Sequence, residues 1–541
     1  MASHIEAPDV TPGTVHLINM PEVAASGGAI ELVPRPSDDP EDPLNWTPQR
    51  KRMLAGMVLC YTLGIGFPLT LQYSVLSDIT ADTGITTAAL VQGTGLMFLF
   101  LGWGCLFWQP IALAYGRRGV YLISALASVP LMVWTAYTRS EGEWYAHRII
   151  IGFFGACIES LPEVSIPDVF FAHDRGTWMS LYVFTLFGSN FLAPLCAGWF
   201  AEAFGWRWTM HFGAIMAAVT FIILFFFMEE TMYFRTTLEG LEQAADESPA
   251  TSEKPVNGEK TGMSSPTETS SEPPRGGPYQ AKTKKGIWAS LKPFRLLAGR
   301  PSLSSMSKSM LLPLVIIARF PTVLWAGFIY GINLSWYNVL NGTISPVLSA
   351  EPYGWSTGAV GSMYVGPIIG AAVACVWSGI VADRFAIYLA KKNKGVREPE
   401  HRLWPLAMSS VLSCIGLIIW GVGAYYDIHW VGLAFGLGIL TFACVTGGSI
   451  ALSYNVDCFK DISGHSTTSV IVIRNTMGFA ISYGITPWYT NMGMRNCFIM
   501  AGFLSLGCTG TFLIMIWKGK SLRRRSAKQY WDLVGRVHAL L

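Results

Sequence analysis

The sequence predicts an all-α membrane protein, with twelve transmembrane helices in two six-helix halves (6+6). Three observations predict it. The 541 residues are 51% hydrophobic and 13% charged, with a mean hydropathy of +0.39, whereas a soluble domain carries about 25% charged residues. Apolar runs of bilayer-spanning length, about 20 residues, recur along the chain. They fall into two groups parted by a long polar stretch. A net charge of +3 is too small to suggest a nucleic-acid partner.

Residues 1–52 are rich in Pro, Asp, Glu and Gly and contain no apolar core. They read as a disordered cytosolic tail without a cleavable signal peptide, so the first apolar run targets and anchors the chain. In the N-terminal half, 53–228, spans are expected near 54–74, 88–109, 119–138, 145–167, 177–200 and 207–228. Residues 229–310 form a linker whose middle is Pro/Ser/Thr/Glu-rich and too polar to bury a core. It reads as a flexible tether, either phosphorylated at Ser248 or Ser265, each followed by proline, or with no regulatory role. In the C-terminal half, 311–517, spans are expected near 320–342, 357–380, 403–424, 430–453, 466–488 and 496–517, before a tail at 518–541.

Orientation follows from Lys and Arg in the short loops. Arg50–Arg52, Arg117, Arg118, Arg175, Lys391, Lys392, Lys394 and the run from Lys518 to Arg525 share one side. The alternate loops carry Asp78, Asp82, Glu141, Glu143, Glu202, Glu351 and Asp427. Both termini are therefore expected in the cytoplasm. Asn341-Gly-Thr343 then falls at the outer end of the seventh span, where a glycan is expected at Asn341.

Reaction chemistry finds little support. The ten cysteines are scattered through apolar runs without a Cys-x-x-Cys pair, which suits small buried hydrophobes. No metal or cofactor is expected. The nine histidines are isolated, so a nucleophile–base pair, and with it an enzyme, is not expected.

The fourth span carries the functional signal. At 100° per residue, Arg148, Gly152, Gly155, Glu159 and Glu163 fall within an arc of about 80°. A charge at mid-bilayer costs about 2.5–3.5 kcal/mol on insertion scales, so this stripe must face a wet cavity or a partner. Arg148 cannot pair with Glu159, because eleven residues of helix separate them by about 16 Å. Glu159 is read as a substrate or proton carboxylate, with a structural hydrogen bond to another helix as the competing reading. Glu163 is either functional or a solvated vestibule acid. A carboxylate in a low-dielectric cavity gains a proton readily and loses it when a cation approaches, which couples solute movement to a proton gradient.

Further candidates lie in other spans. Gln92, Asn190, Arg474 and Asn475 are polar residues in apolar runs. Asn333, Trp336 and Tyr337 make an i, i+3, i+4 cluster, read either as a wall for a flat or cationic solute or as an interfacial aromatic belt. Gly188, Pro194 and Gly198 in the fifth span, and Gly361, Gly366 and Gly370 in the eighth, suit either rocking interfaces or ordinary close packing.

These stretches resemble fungal major facilitator superfamily (MFS) transporters of the twelve-span drug:proton antiporter type. The resemblance rests on "DPEDPLNW" at 39–46, "PIALAYGRR" at 110–118, "AHRIIIGFFGA" at 146–156, "APLCAG" at 193–198, "EET" at 229–231 and "PEHRLWP" at 399–405. "CIESLPEVSIPDVFF" and "IVADRF" look most like the branch with a polyamine and organic-cation transporter, which has a carboxylate matching Glu159. Departures occur at Leu113, where the family has an acidic residue, at Ala386 and Ile387, which replace Gly-Arg, and at Ala193 and Ala197, which replace antiporter-motif glycines.

The resemblance implies an alternating-access carrier of a small organic solute and protons, embedded as a monomer in the bilayer of a fungal plasma membrane. It has Gly116, Arg117, Arg118, Asp383 and Arg384 in the cytosolic gate. Export of a secondary metabolite, toxin or drug and uptake of a polyamine-like cation are both expected readings. A non-transporting membrane sensor is a third.

Overall fold

The computed structural model describes residues 11–16, 42–233, 294, 303–393 and 395–540. Ser248, Ser265 and the middle of the expected tether lie outside the described residues.

The helices run in order as α1 (Pro48–Thr70), α2 (Leu76–Thr83), α3 (Thr87–Tyr115), α4 (Arg117–Tyr137), α5 (Glu141–Gly155), α6 (Cys157–Val169), α7 (Ala172–Phe204) and α8 (Trp206–Phe227). After residues 234–302 come α9 (Leu303–Arg319), α10 (Pro321–Ser349), α11 (Thr357–Ser362), α12 (Val365–Val376), α13 (Ala382–Lys392), α14 (Leu406–Tyr425), α15 (Trp430–Cys458), α16 (Ser463–Met492), α17 (Met494–Gly510) and α18 (Phe512–Leu540). A two-residue strand, β1 (Val15–His16), pairs antiparallel with β2 (Val396–Arg397), Val15 opposite Arg397.

Local chemistry sets the boundaries. Thr86 accepts the Ala89 amide at 3.2 Å and Ser140 accepts the Glu143 amide at 3.3 Å. Each satisfies a first-turn donor that the helix itself leaves unpaired. The chain reverses through Gly116 (φ 112°) between α3 and α4, a backbone region that favours glycine.

The expectation of twelve apolar spans in a clean 6+6 arrangement is corrected. Among the described residues, ten helices are long and apolar enough to cross a membrane, or eleven if one bent pair counts as a single span. That pair, Ser304–Arg319 and Pro321–Ser349, turns by 94°. Pro321 forces the residue before it out of the helical region, and Phe320 is extended (φ −115°, ψ 93°). The second departure is α16, where a span was expected over 466–488. It is a continuous 30-residue helix, but Ser466, Thr467, Thr468, Ser469, Arg474 and Asn475 leave it outside the apolar set.

A helix so polar is held by packing on α3 and α10. Against α3 it runs antiparallel at a seven-residue interval. Gly95 faces Ser482, Gly102 faces Asn475, and Gln109 bonds to Thr468. The missing Cβ at Gly95 and Gly102 is what permits the approach, since an added carbon would lie 2.6 Å from Ser482 Cβ or Asn475 Cβ. A second close crossing joins α7 to α11, where a Cβ on Gly198 would lie 2.8 Å from Gly361 Cα. Helices before and after residues 234–302 thus meet along two narrow seams, with a chamber between them.

Candidate functional site

The chamber is a cavity of about 60 Å³ lined by α1, α3, α6, α7, α10, α15 and α16. Space of this size admits several water molecules. Leu69, Met97, Phe98, Leu101, Phe187 and Phe191 give it apolar walls, and Glu159, Asn190, Tyr330, Asn333, Tyr337, Thr441 and Arg474 give it polar ones.

Glu159 lies in the first turn of α6, just past the interruption of the fourth span at Ala156, its amide donating to Ala156 O at 3.2 Å. Its Oε1 is ion-paired with Arg474 Nη2. Its Oε2 accepts from Asn475 Nδ2 at 3.0 Å. Arg474 also donates to Asn475 Oδ1 at 3.3 Å and lies 4.6 Å from the Tyr330 ring centroid. Glu159 is 7% exposed and Arg474 5%. Removing one member of such a buried pair costs about 3–5 kcal/mol, because the other charge is left uncompensated. The pair ties α6 to α16, so it spans the junction between the two sets of helices.

The other expected residues divide into those the chamber gathers and those it does not. Asn190, Asn333 and Tyr337 line it. Asn333 Nδ2 donates to Ile329 O at 2.7 Å, and Tyr337 packs edge-on against Tyr73 and Phe191. Trp336 is buried beside the chamber without lining it, so neither aromatic belongs to an interfacial belt. Glu163 stands one turn beyond Glu159 and does not line the cavity. Arg148 is buried elsewhere, 4.3 Å from the Trp144 ring centroid, with Nη1 at 3.5 Å from Met97 Sδ. Gln92 Oε1 accepts from Tyr145 Oη at 3.0 Å, away from the chamber. Asn341 is not at a surface. It is fully buried inside α10, its Oδ1 accepting from Tyr364 Oη at 3.0 Å, with no room for a glycan.

Arg117 and Arg118 open α4 beneath Gly116, and both backbone amides donate to Glu230, at 2.9 and 3.1 Å. A carboxylate at a helix N-terminus meets the positive end of its dipole. Arg117 Nε also pairs with Asp168 at 3.1 Å. Glu230 and Asp168 therefore supply the acidic partners that Leu113 does not. In the later helices Asp383 pairs with Arg402 rather than with Arg384, which is exposed, and Arg402 reaches Asp457 at 3.1 Å. Nearby, the fully buried Arg523 pairs with Glu398 and Glu400, each at 2.7 Å, and donates to Pro12 O. Pro194 and Gly198 sit at the α7–α11 crossing, where Gly361 approaches Pro194 O.

Sequence reasoning missed Tyr330, Gln109 and Thr468. Tyr330 had a signal, since Tyr330, Asn333 and Tyr337 stand at i, i+3 and i+7 on one face of α10. Gln109 and Thr468 had none, because their pairing crosses 359 positions.

A family model described as Major Facilitator Superfamily matches residues 54–487. The chain belongs to that superfamily. Similar MFS proteins include an uncharacterized MFS-type transporter of Schizosaccharomyces pombe, 29% identical over 97% of this chain and 94% of the relative. Protein HOL1 of Saccharomyces cerevisiae is 26% identical over 97% of both chains. Among solved structures, a D-xylose–proton symporter superposes with a TM-score of 0.57 at 14% identity, covering 86% of this chain and 97% of that one. The human organic anion transporter MFSD10 gives 0.55 at 15% identity, covering 86% of this chain and all of that one. At such identities the likeness establishes the shared fold. As a superfamily member the chain is a small-molecule transporter working by alternating access, not a catalytic enzyme.

Proposed function

We propose that this MFS protein carries a small organic cation with an apolar body, coupled to protons through Glu159, across a fungal plasma membrane. The arginine-rich end and both termini would face the cytosol, as the distribution of Lys and Arg among the loops supports. The observation that carries the reading is a buried carboxylate on the cavity wall whose counter-charge comes from a different helix. Such a carboxylate can be neutralised by a tethered arginine, by a proton or by the amine of a solute, and only one at a time. Exchange among these states as the chamber opens to alternate sides is sufficient to couple solute to proton. The membrane potential adds about 2.3 kcal/mol per charge per 100 mV.

The apolar wall supports a second reading, export of a bulkier hydrophobic metabolite or toxin, which has the wider precedent in the family this sequence resembles. Comparing metabolites inside and outside cells with and without the protein identifies solute and direction together. In proteoliposomes, Glu159→Gln should lower proton-driven flux of the identified solute by roughly a hundredfold, about 2.7 kcal/mol. Flux that kept its full response to the pH gradient would assign Glu159 to structure.

A further inference from the structure

Arg474 occupies the surroundings that an incoming cation would seek. Its guanidinium faces a buried carboxylate, the amide oxygen of Asn475 at 3.3 Å and the face of Tyr330 at 4.6 Å. A carboxylate, a carbonyl-type acceptor and an aromatic face are the three groups that recognise an organic cation. The same side chain lines the chamber, and its buried Nε has no partner, so the guanidinium is not fully committed to its present bonds. A second carboxylate, Glu163, stands four residues along α6, one turn from Glu159 on the same face.

We infer that Arg474 is a tethered occupant of the cation subsite. It neutralises Glu159 while the carrier is empty and shifts toward Glu163 when a free guanidinium or amine takes its place. This rests on reading the chamber as a cation site. The arrangement answers a problem every carrier with a buried acid faces: after release, the return step would otherwise carry an unpaired charge through the closed state. It also sets selectivity. A solute must compete with a side chain whose effective concentration is in the millimolar range or above, so cations that make a two-pronged contact with the carboxylate are favoured over a lone ammonium.

The test is chemical replacement of the missing side chain. The full chain with Arg474→Ala, purified in detergent, is titrated with methylguanidinium and followed by thermal unfolding. It should bind about tenfold more tightly than the wild type, and the gain should vanish in Glu159→Gln/Arg474→Ala. No gain, or a gain that survives in the double variant, would overturn the inference. Glu163→Gln leaves the Glu159–Arg474 pair intact and reads the inference even if Arg474→Ala does not assemble. It should weaken methylguanidinium binding to the otherwise unaltered chain several-fold, and unchanged binding would count against the inference. Spermidine flux through the wild-type chain in proteoliposomes separates this from the functional reading. Replacement without flux removes cation transport and leaves the tethered arginine standing, whereas flux without replacement does the reverse.

Discussion

The two ends of the bundle are closed by different chemistry. At the arginine-rich end, charges are neutralised within one set of helices. Arg117 meets Asp168 and Glu230 among α4, α6 and the segment after α8, while Arg402 meets Asp383 and Asp457 among the later helices. Among the described residues, the hydrogen bonds that join helix to helix across the sets there are neutral, Gln109 with Thr468 and with Gly464 O at 3.2 Å. Charged bonds cross from the N-terminal segment, Thr14 donating to Glu398 at 2.9 Å and Arg523 to Pro12 O. At the opposite end neutral crossing bonds, Ser77 with Ser345 at 3.0 Å and Trp199 Nε1 to Ser362 at 2.9 Å, are joined by charged ones. Thr357 Oγ1 donates to Asp78 at 2.7 Å, and the Gly358 amide and Ser356 Oγ donate to Glu202 at 2.9 and 3.1 Å. At one end the helices can part without stranding a charge. The other must give up the hydrogen bonds of two carboxylates, the exposed Glu202 and the partly buried Asp78.

Carboxylates at the two ends respond to pH in opposite directions. Burial pushes the Asp78 carboxyl above its ordinary value of 3.8, against the opposing hydrogen bond from Thr357. Its neutral form is favoured by closure, so its contribution is full below 3.8 and is lost as pH rises through the raised value. Glu398 behaves the other way. Burial pushes it up, but hydrogen bonds from Lys520, Arg523 and Thr14 outweigh this and hold it below 4.5. Its contribution is present above 4.5 and is lost as pH falls through the lowered value. Acid should loosen the Glu398–Arg523–Lys520 cluster within the later helices while favouring the Asp78 contact at the other end.

The largest expected effect breaks the arginine-rich end outright. Arg523→Ala leaves Glu400 buried without its cation and Glu398 with Lys520 alone, and should cost about 3–5 kcal/mol, read as a fall in the melting temperature of the full chain. Next, Gly102→Val thrusts a branched side chain into Asn475 at the α3–α16 seam. It should cost about 1–3 kcal/mol by the same measurement, with both ends affected alike. Asp78→Asn sharpens the contrast by fixing the neutral state. Labelling of Ser345→Cys, buried behind the opposite end, should lose its pH dependence and shift by about 1 kcal/mol, roughly fivefold in rate. The smallest effect is expected from Arg50→Ala. This half-exposed partner of Glu229 should change stability by about 0.2–1 kcal/mol, and less in high salt.

The polar stripe of the fourth span was legible because helical periodicity and the cost of a buried charge act locally. That argument left Glu159 facing a wet cavity or a partner, and the structure gives it both. The identity of the partner did not follow, since Arg474 lies 315 positions away and nothing in either segment specifies the pairing. Arg117 and Arg118 were singled out through the family resemblance, but their acids were not, because Glu230 comes from beyond α8 and accepts from backbone amides. Counting apolar runs misjudged α16, where residues that looked like isolated exceptions in a greasy stretch form a continuous face pressed on α3. Asn341 shows the same limit, since a sequon fixes chemistry and leaves depth within a helix undetermined.

The polarity of α16 also bears on how the chain is made. A segment bearing Arg474 and Asn475 has little reason to leave the translocation channel for lipid unaided, at about 2.5–3.5 kcal/mol for the arginine alone. Its receptive surface on α3 is synthesised some 350 residues earlier and must be waiting, glycines outward, when α16 emerges. Lesions at Gly95 or Gly102 should then surface as failed biogenesis before they register as slow transport.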